Sequence, residues 1–216
     1  MKKIIAFILM AAMLLSLTAC AKQPAEEGAA AETVEIASAL ELLNNVWAQY
    51  ADDEKFSAAG GDASEENMTM DGPGKFGVED KEMLDVMLAL PASAGEKIDD
   101  AASLMHMMNA NTFTSGAYHA ASADDVSAIV DEIVNNIGGR QWMCGFPEEL
   151  LVMTVGEYVI SAFGAKDLLD VFEANTLKAY DMMKVAYREP IAYIILFDRR
   201  RQWFFPGYRF CITFSL

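Results

Sequence analysis

The chain has 216 residues, 53% of them hydrophobic, and a formal net charge of −16. That length accommodates one domain with appendages and is enough to bury a real core. The charge excludes binding by phosphate neutralisation to nucleic acid and electrostatic docking on anionic lipid headgroups.

The chain opens with Lys2 and Lys3, an uncharged apolar run from Ile4 to Leu15, and Leu17-Thr18-Ala19-Cys20. A basic start, an apolar middle and small residues at the end form an export signal over residues 1–19. The run is shorter than the roughly 20 apolar residues that a spanning helix needs. Its ending resembles the lipobox of bacterial lipoproteins. The resemblance implies that Leu17, Thr18 and Ala19 are read by the signal peptidase. It also implies that the mature chain starts at Cys20 with a diacylglyceryl group on its sulfur. The protein is then expected to be exported and anchored on the outer face of the cell membrane. Residues 20–192 hold 31 acidic and 10 basic residues, so attachment has to come from the acyl chains, at about 0.8 kcal/mol per buried CH₂. Residues 20–32 are small, polar and proline-bearing and read as a flexible tether.

Residues 33–192 read as a single α+β domain. Ile36, Leu40, Leu43, Trp47 and Tyr50 recur at helical spacing and predict a helix over 33–50 with Thr33 as N-cap. Residues 51–78 lose periodicity and are rich in Gly, Pro and acidic residues, which predicts a long loop. A helix over 79–90 carries Met83, Leu84, Met87 and Leu88 on one side and stops at Pro91. Residues 102–120 read as a hairpin bending at Asn109-Ala110-Asn111. Ser122 caps a helix whose stripe is Val126, Ile129, Val130, Ile133, Val134 and Ile137, ended by Gly138-Gly139. Residues 149–164 form a second hairpin around Gly156-Glu157. A last helix over 166–183 uses Leu168, Leu169, Phe172 and Leu177. The expected architecture is an antiparallel sheet from two hairpins in a ββαββα order, with helices packed on one face and an N-terminal helix before it. The repeated ββα order also suggests an internal duplication.

Residues 193–216 differ abruptly from the rest. They hold eight of the chain's 22 aromatic residues and a net charge of +3, with Arg199-Arg200-Arg201 as the only basic cluster after the signal. An edge strand and a membrane-surface segment are two readings. A frameshift or read-through product is the favoured one, because a selected domain seldom changes composition so completely at its last helix. Besides Cys20 the chain has only Cys144 and Cys211, without the spacing of a redox pair or a zinc site. A Cys144–Cys211 disulfide and a half-buried Cys144 thiol are both open.

The chemistry-bearing residues are sparse. Met105, His106, Met107, Met108 and His119 suit Cu(I) in type, but core packing is the preferred reading, since strand alternation splits them between two faces. Asp52, Asp53, Glu54, Asp62, Glu65, Glu66 and Asp71 crowd the loop around Gly60-Gly61. They read as a solvated acidic loop rather than a Ca²⁺ site, because the EF-hand order is absent. No G-x-S-x-G elbow occurs, and Cys144 pairs with His119 only if the fold brings them together. The residues after Gly138-Gly139 follow a helix rather than precede one and do not resemble a phosphate cradle. No catalytic residue, resident metal or cofactor is expected.

Residues 37–192 resemble an uncharacterised family of lipoproteins from Gram-positive bacteria, a domain of unknown function. The resemblance rests on VWAQYADDEKFSAAGGD, MDGPGKFGVED, AASLMHMMNANTFTSGAYHAASADDV and RQWMCGFPEELLVMTVGEYVISAFG. Some members carry the name bacteriocin transport accessory protein. The proteins that earned that name resemble thioredoxins and use a C-x-x-C dithiol, whereas Trp142-Met143-Cys144-Gly145-Phe146 has one cysteine, so dithiol exchange in cis is not available. The family pattern ends near Pro190-Ile191-Ala192, in keeping with a foreign tail. The expected function is non-catalytic binding of an envelope protein or transporter component. The candidate patch is Gly60, Gly61, Asp62, Arg140, Gln141, Trp142 and Cys144, with Phe146 beside it. The alternatives are a small-solute or metal-binding lipoprotein and a single-cysteine thiol enzyme.

Overall fold

A computed structural model describes residues 35–62, 64–142 and 146–195. The signal with Leu17, Thr18, Ala19 and Cys20, the tether, Thr33, Cys144, and the tail from residue 196 with Cys211 lie outside the described residues. The first helix, α1 (Ala39–Trp47), is shorter than predicted, because Ser38 caps it and accepts the Glu41 amide at 3.0 Å. Ile36 belongs to an extended lead-in whose carbonyl accepts the Tyr158 hydroxyl at 3.0 Å.

The predicted loop over 51–78 contains three short strands, β1 (Ala58–Gly60), β2 (Thr69–Met70) and β3 (Gly74–Phe76). Strand β4 (Ile98–His106) carries both β1 and β3 on the same edge: β1 pairs at Met105 and His106, β3 at Ala101 to Ser103. The two strands thus lie end to end. The chain leaves the sheet edge at Gly60, turns back through β2, and re-enters at Gly74. Strands this short have no measurable alternation, so periodicity could not find them.

Helix α2 (Lys81–Leu88) is capped by Asp80, which accepts the Met83 amide at 3.0 Å, and ends at Ala89 in the left-handed region. Pro91 does not end that helix. It starts the short α3 (Ala92–Gly95), where its missing N–H costs nothing. Strand β5 (Phe113–Ala120) completes the first hairpin and helix α4 (Val126–Gly139) follows a 3₁₀ turn. Strands β6 (Glu149–Val155) and β7 (Tyr158–Gly164) form the second hairpin, with Gly156 at φ +55° in its turn. Helix α5 (Lys166–Ala179) stops before Met183, and an unpredicted strand, β8 (Lys184–Pro190), follows.

All pairings are antiparallel, in the order β2-β1-β4-β5-β7-β6-β8 with β3 also on β4, and the sheet is open. The α+β class, the two hairpins and the ββαββα order stand. The placement of helices on one face does not. Leu104, Phe113, Ala117, Leu151, Met153 and Ile160 pack with α1 and α5, while Ala101, Tyr118, Leu150, Val152 and Val159 pack with α2, α3 and α4. The cause is in the inner strands: all seven residues of β7 are buried, and a sheet apolar on both faces needs cover on both. The same placement removes the internal duplication. A two-fold axis relating antiparallel β5 and β7 stands perpendicular to the sheet and would keep α4 and α5 on one face. Past β8, residues 191–195 are helical and Ile191 and Ile194 belong to the second core.

Candidate functional site

Arg140 leaves the C-terminal end of α4, where a cation suits the helix dipole. Its guanidinium donates to Asp85 Oδ1 at 2.8 Å and to the Val86 carbonyl at 3.1 Å. Asn136 Nδ2 donates to the same Asp85 oxygen at 2.8 Å and to the Ala89 carbonyl at 2.9 Å. These bonds clasp α2 to α4 and hold the guanidinium still. The guanidinium carbon lies 5.7 Å from the Trp142 ring centroid, and Trp142 meets Phe163 edge-on at 5.2 Å. Val86, whose carbonyl accepts from Arg140, is 63% exposed; Gln141 is exposed, and Phe146, four residues along the chain from Trp142, is 67% exposed. An immobilised Arg and Trp with apolar neighbours in solvent match the residue types that dominate protein interfaces. Val86 was not part of the expected patch. Its exposure follows from the helical period, which sets it opposite the Leu84 and Leu88 stripe.

Gly60 and Gly61 do not join that surface. Both are buried at the point where β1 hands over to β3. Gly61 N–H donates to the buried Ser103 hydroxyl at 2.9 Å, which in turn donates to the Gly61 carbonyl at 3.0 Å. Asp62 organises the loop behind them. Its Oδ1 accepts the Ser64 amide at 2.9 Å and the Ser64 hydroxyl, and its Oδ2 accepts from Asn67 Nδ2 at 2.7 Å and from the Gly77 amide at 2.9 Å. Burial raises the Asp62 pKa, but these bonds to the charged form outweigh it and hold the carboxyl down at about 2. Asp62 therefore stabilises the fold fully above the ordinary aspartate value of about 3.9, and this contribution is lost as pH falls toward 2. Asp62→Asn is expected to cost on the order of 2 kcal/mol at pH 7. In urea unfolding the gap between wild type and variant should shrink between pH 4 and pH 2; a gap independent of pH there would contradict the hydrogen-bonded carboxylate.

Next to this loop a polar cleft of about 240 Å³ is lined by Glu66, Lys75, Glu79, Asp99 and Asp100, among others. Two of its carboxylates have internal work. Asp100 Oδ2 accepts the Ala39 amide at 2.7 Å and so fastens the start of α1, and Asp99 pairs with His119 Nδ1. Among the described residues no three His, Cys, Asp or Glu side chains converge as a metal set. The run from Met105 to His119 does not gather either. His106 stacks on Phe56 with centroids 5.6 Å apart and accepts the Met108 amide at Nδ1, 3.2 Å away. His119 sits at the other end of β5, against Tyr158 and within 3.6 Å of Glu157. A second cleft of about 310 Å³ lies between Tyr187, Glu189, Tyr193 and Ile194 beside β8. Among the described residues no helix is long and apolar enough to cross a membrane. No protein-family model, curated protein or solved structure matches the chain.

Proposed function

We propose that the chain is an exported, lipid-anchored and non-catalytic protein that binds an envelope protein or transporter component through the face around Arg140 and Trp142. The observation that carries this reading is the clasped Arg140–Trp142 pair with Val86 in solvent beside it; Phe146, four residues along the chain, is exposed as well. The rotamer-rich Arg140 side chain is already ordered before any partner arrives, which lowers the entropy cost of association. The lipobox ending at Cys20 supports the anchor, and the likeness to a Gram-positive lipoprotein family agrees with it.

Two measurements in the native cell test the two halves of the proposal. Cys20→Ala should move the protein out of the detergent-extracted lipid phase, and its retention there would remove the anchor. A photo-crosslinking amino acid at Phe146 of the lipidated chain should give one discrete adduct, lost in Trp142→Ala. Crosslinks that are absent, or unchanged by that variant, would overturn the partner face.

A further inference from the structure

We propose that the open end of the second-core face, at β1 and its two neighbours, is a soft-metal site that takes a monovalent copper or silver ion on the thioethers of Met70, Met105 and Met107. The site is separate from the Arg140–Trp142 face and does not rest on the function proposed there.

The strand register places the ligands. Met70 pairs with Ala59, and Ala59 pairs with Met105, so the three side chains stand in one cross-strand row. The Met107 amide donates to the Ser57 carbonyl at 2.9 Å, which carries the same pairing one step past β4. Alternate residues of a strand share a face, so Met107 stands beside Met105. The middle strand presents only Ser57 and Ala59 on that side. The result is a trough with a small-residue floor, one thioether on its β2 wall and two on its β4 wall. The two walls are about 10 Å apart, twice the strand spacing. Unbranched methionine side chains with three rotatable bonds can close that gap over an alanine.

Exposure sets these methionines apart from core methionines. Met70 is 56% exposed and Met107 48%, with Met68 at 54% on the same edge, while Met105 is half-buried against the second core. One ligand is therefore fixed and two are free to close. Edge strands are ordinarily protected by lysine or proline rather than by apolar side chains. The nearest imidazole is turned away: Ala58 pairs with His106, which places His106 on the opposite face. A thioether set selects a soft monovalent ion over Zn²⁺ or Ca²⁺, and a chain of net charge −16 draws cations toward it. This set differs from the contiguous run between Met105 and His119, because Met70 arrives from another strand.

The test is a titration of the full chain in detergent with Ag(I), the redox-inert surrogate. The methionine ε-methyls carry ¹³C and free thiols are blocked with N-ethylmaleimide. The ε-methyl signals of Met70, Met105 and Met107 should move together along one saturable curve, while that of buried Met153 stays put and reports an intact fold. Met70→Leu keeps the volume and should weaken the apparent affinity about tenfold through loss of one soft ligand. Unmoved methyls would overturn the site. So would shifts that fail to saturate and appear equally at exposed Met108 and Met182, or a Met70→Leu chain that binds like wild type.

Discussion

Gly61→Ala is expected to destabilise the domain by about 3 kcal/mol or more, because a strained backbone, a backbone clash and the bonds that block its relief meet at one residue. The residue has φ +91°, a region that side-chain-bearing residues avoid. An added Cβ would stand 2.0 Å from the Asn67 carbonyl oxygen, a backbone atom that cannot rotate away. Any shift that relieved the contact would also break the two Ser103 bonds, at 2.9 and 3.0 Å, that pin the loop to β4. The crossing is equally tight from the other side, since a Cβ on Gly60 would lie 2.1 Å from the Gly74 nitrogen. Urea unfolding gives the magnitude. Limited proteolysis should cut first within residues 61–73, where the edge detaches. Gly139→Ala is the control: it adds a methyl in open space near the end of α4 and should be neutral or stabilising by up to about 1 kcal/mol. A Gly61→Ala protein within 1 kcal/mol of wild type would show that the handover is not rigid.

Arg188→Ala is expected to cost about 2–3 kcal/mol and to release β8. Arg188 lies opposite Leu151 in the β6–β8 register, on the face covered by α5. Its Nε and Nη2 donate to Glu149 Oε2 at 3.0 and 2.8 Å, and the same guanidinium bonds to Glu173 and Asp170. Lys166 adds a bond to Asp170 at 2.7 Å, and Lys166 and Arg188 hold the Asp170 carboxyl below its ordinary range. An exposed ion pair is worth under about 1 kcal/mol, but this guanidinium is 24% exposed and serves three carboxylates, of which Glu149 is 12% exposed. Its removal leaves clustered like charges half out of water, which is the costly case. The depressed Asp170 gives the sign of the pH dependence. The network is complete above the ordinary carboxylate range and weakens as pH falls below it, so the deficit of the variant should shrink below about pH 4. Hydrogen exchange should show the β8 amides losing protection while β5 and β7 keep theirs. Unchanged β8 protection would mean that backbone pairing alone holds the edge.

The contrast between these residues explains what was legible. The stripe of α4 and the two hairpins were readable because each spans several periods of its own pattern. Strands β1, β2 and β3 have two or three residues each, less than a pattern needs. Strand β8 is polar and ends in Pro190, as an edge strand tolerates, so its sequence resembles the tail of a helix. The candidate patch divided in the same way. Arg140 and Trp142 were chosen for their residue types and lie half-buried at the α2–α4 clasp, with Trp142 packed on the second core, whereas Gly60 and Gly61 were chosen as loop glycines and are buried where two backbones cross.

The amino-acid order by itself determined the local pieces: the acidic composition, the main helices and the ββαββα succession. Each depends on residues close together along the chain. Tertiary structure alone decided that helices cover both faces, that β1 and β3 share one edge, and that Met70 stands across Ala59 from Met105. Those facts are pairings between residues tens of positions apart. They are selected by burial on both faces of the central strands, a cooperative property that no single segment carries.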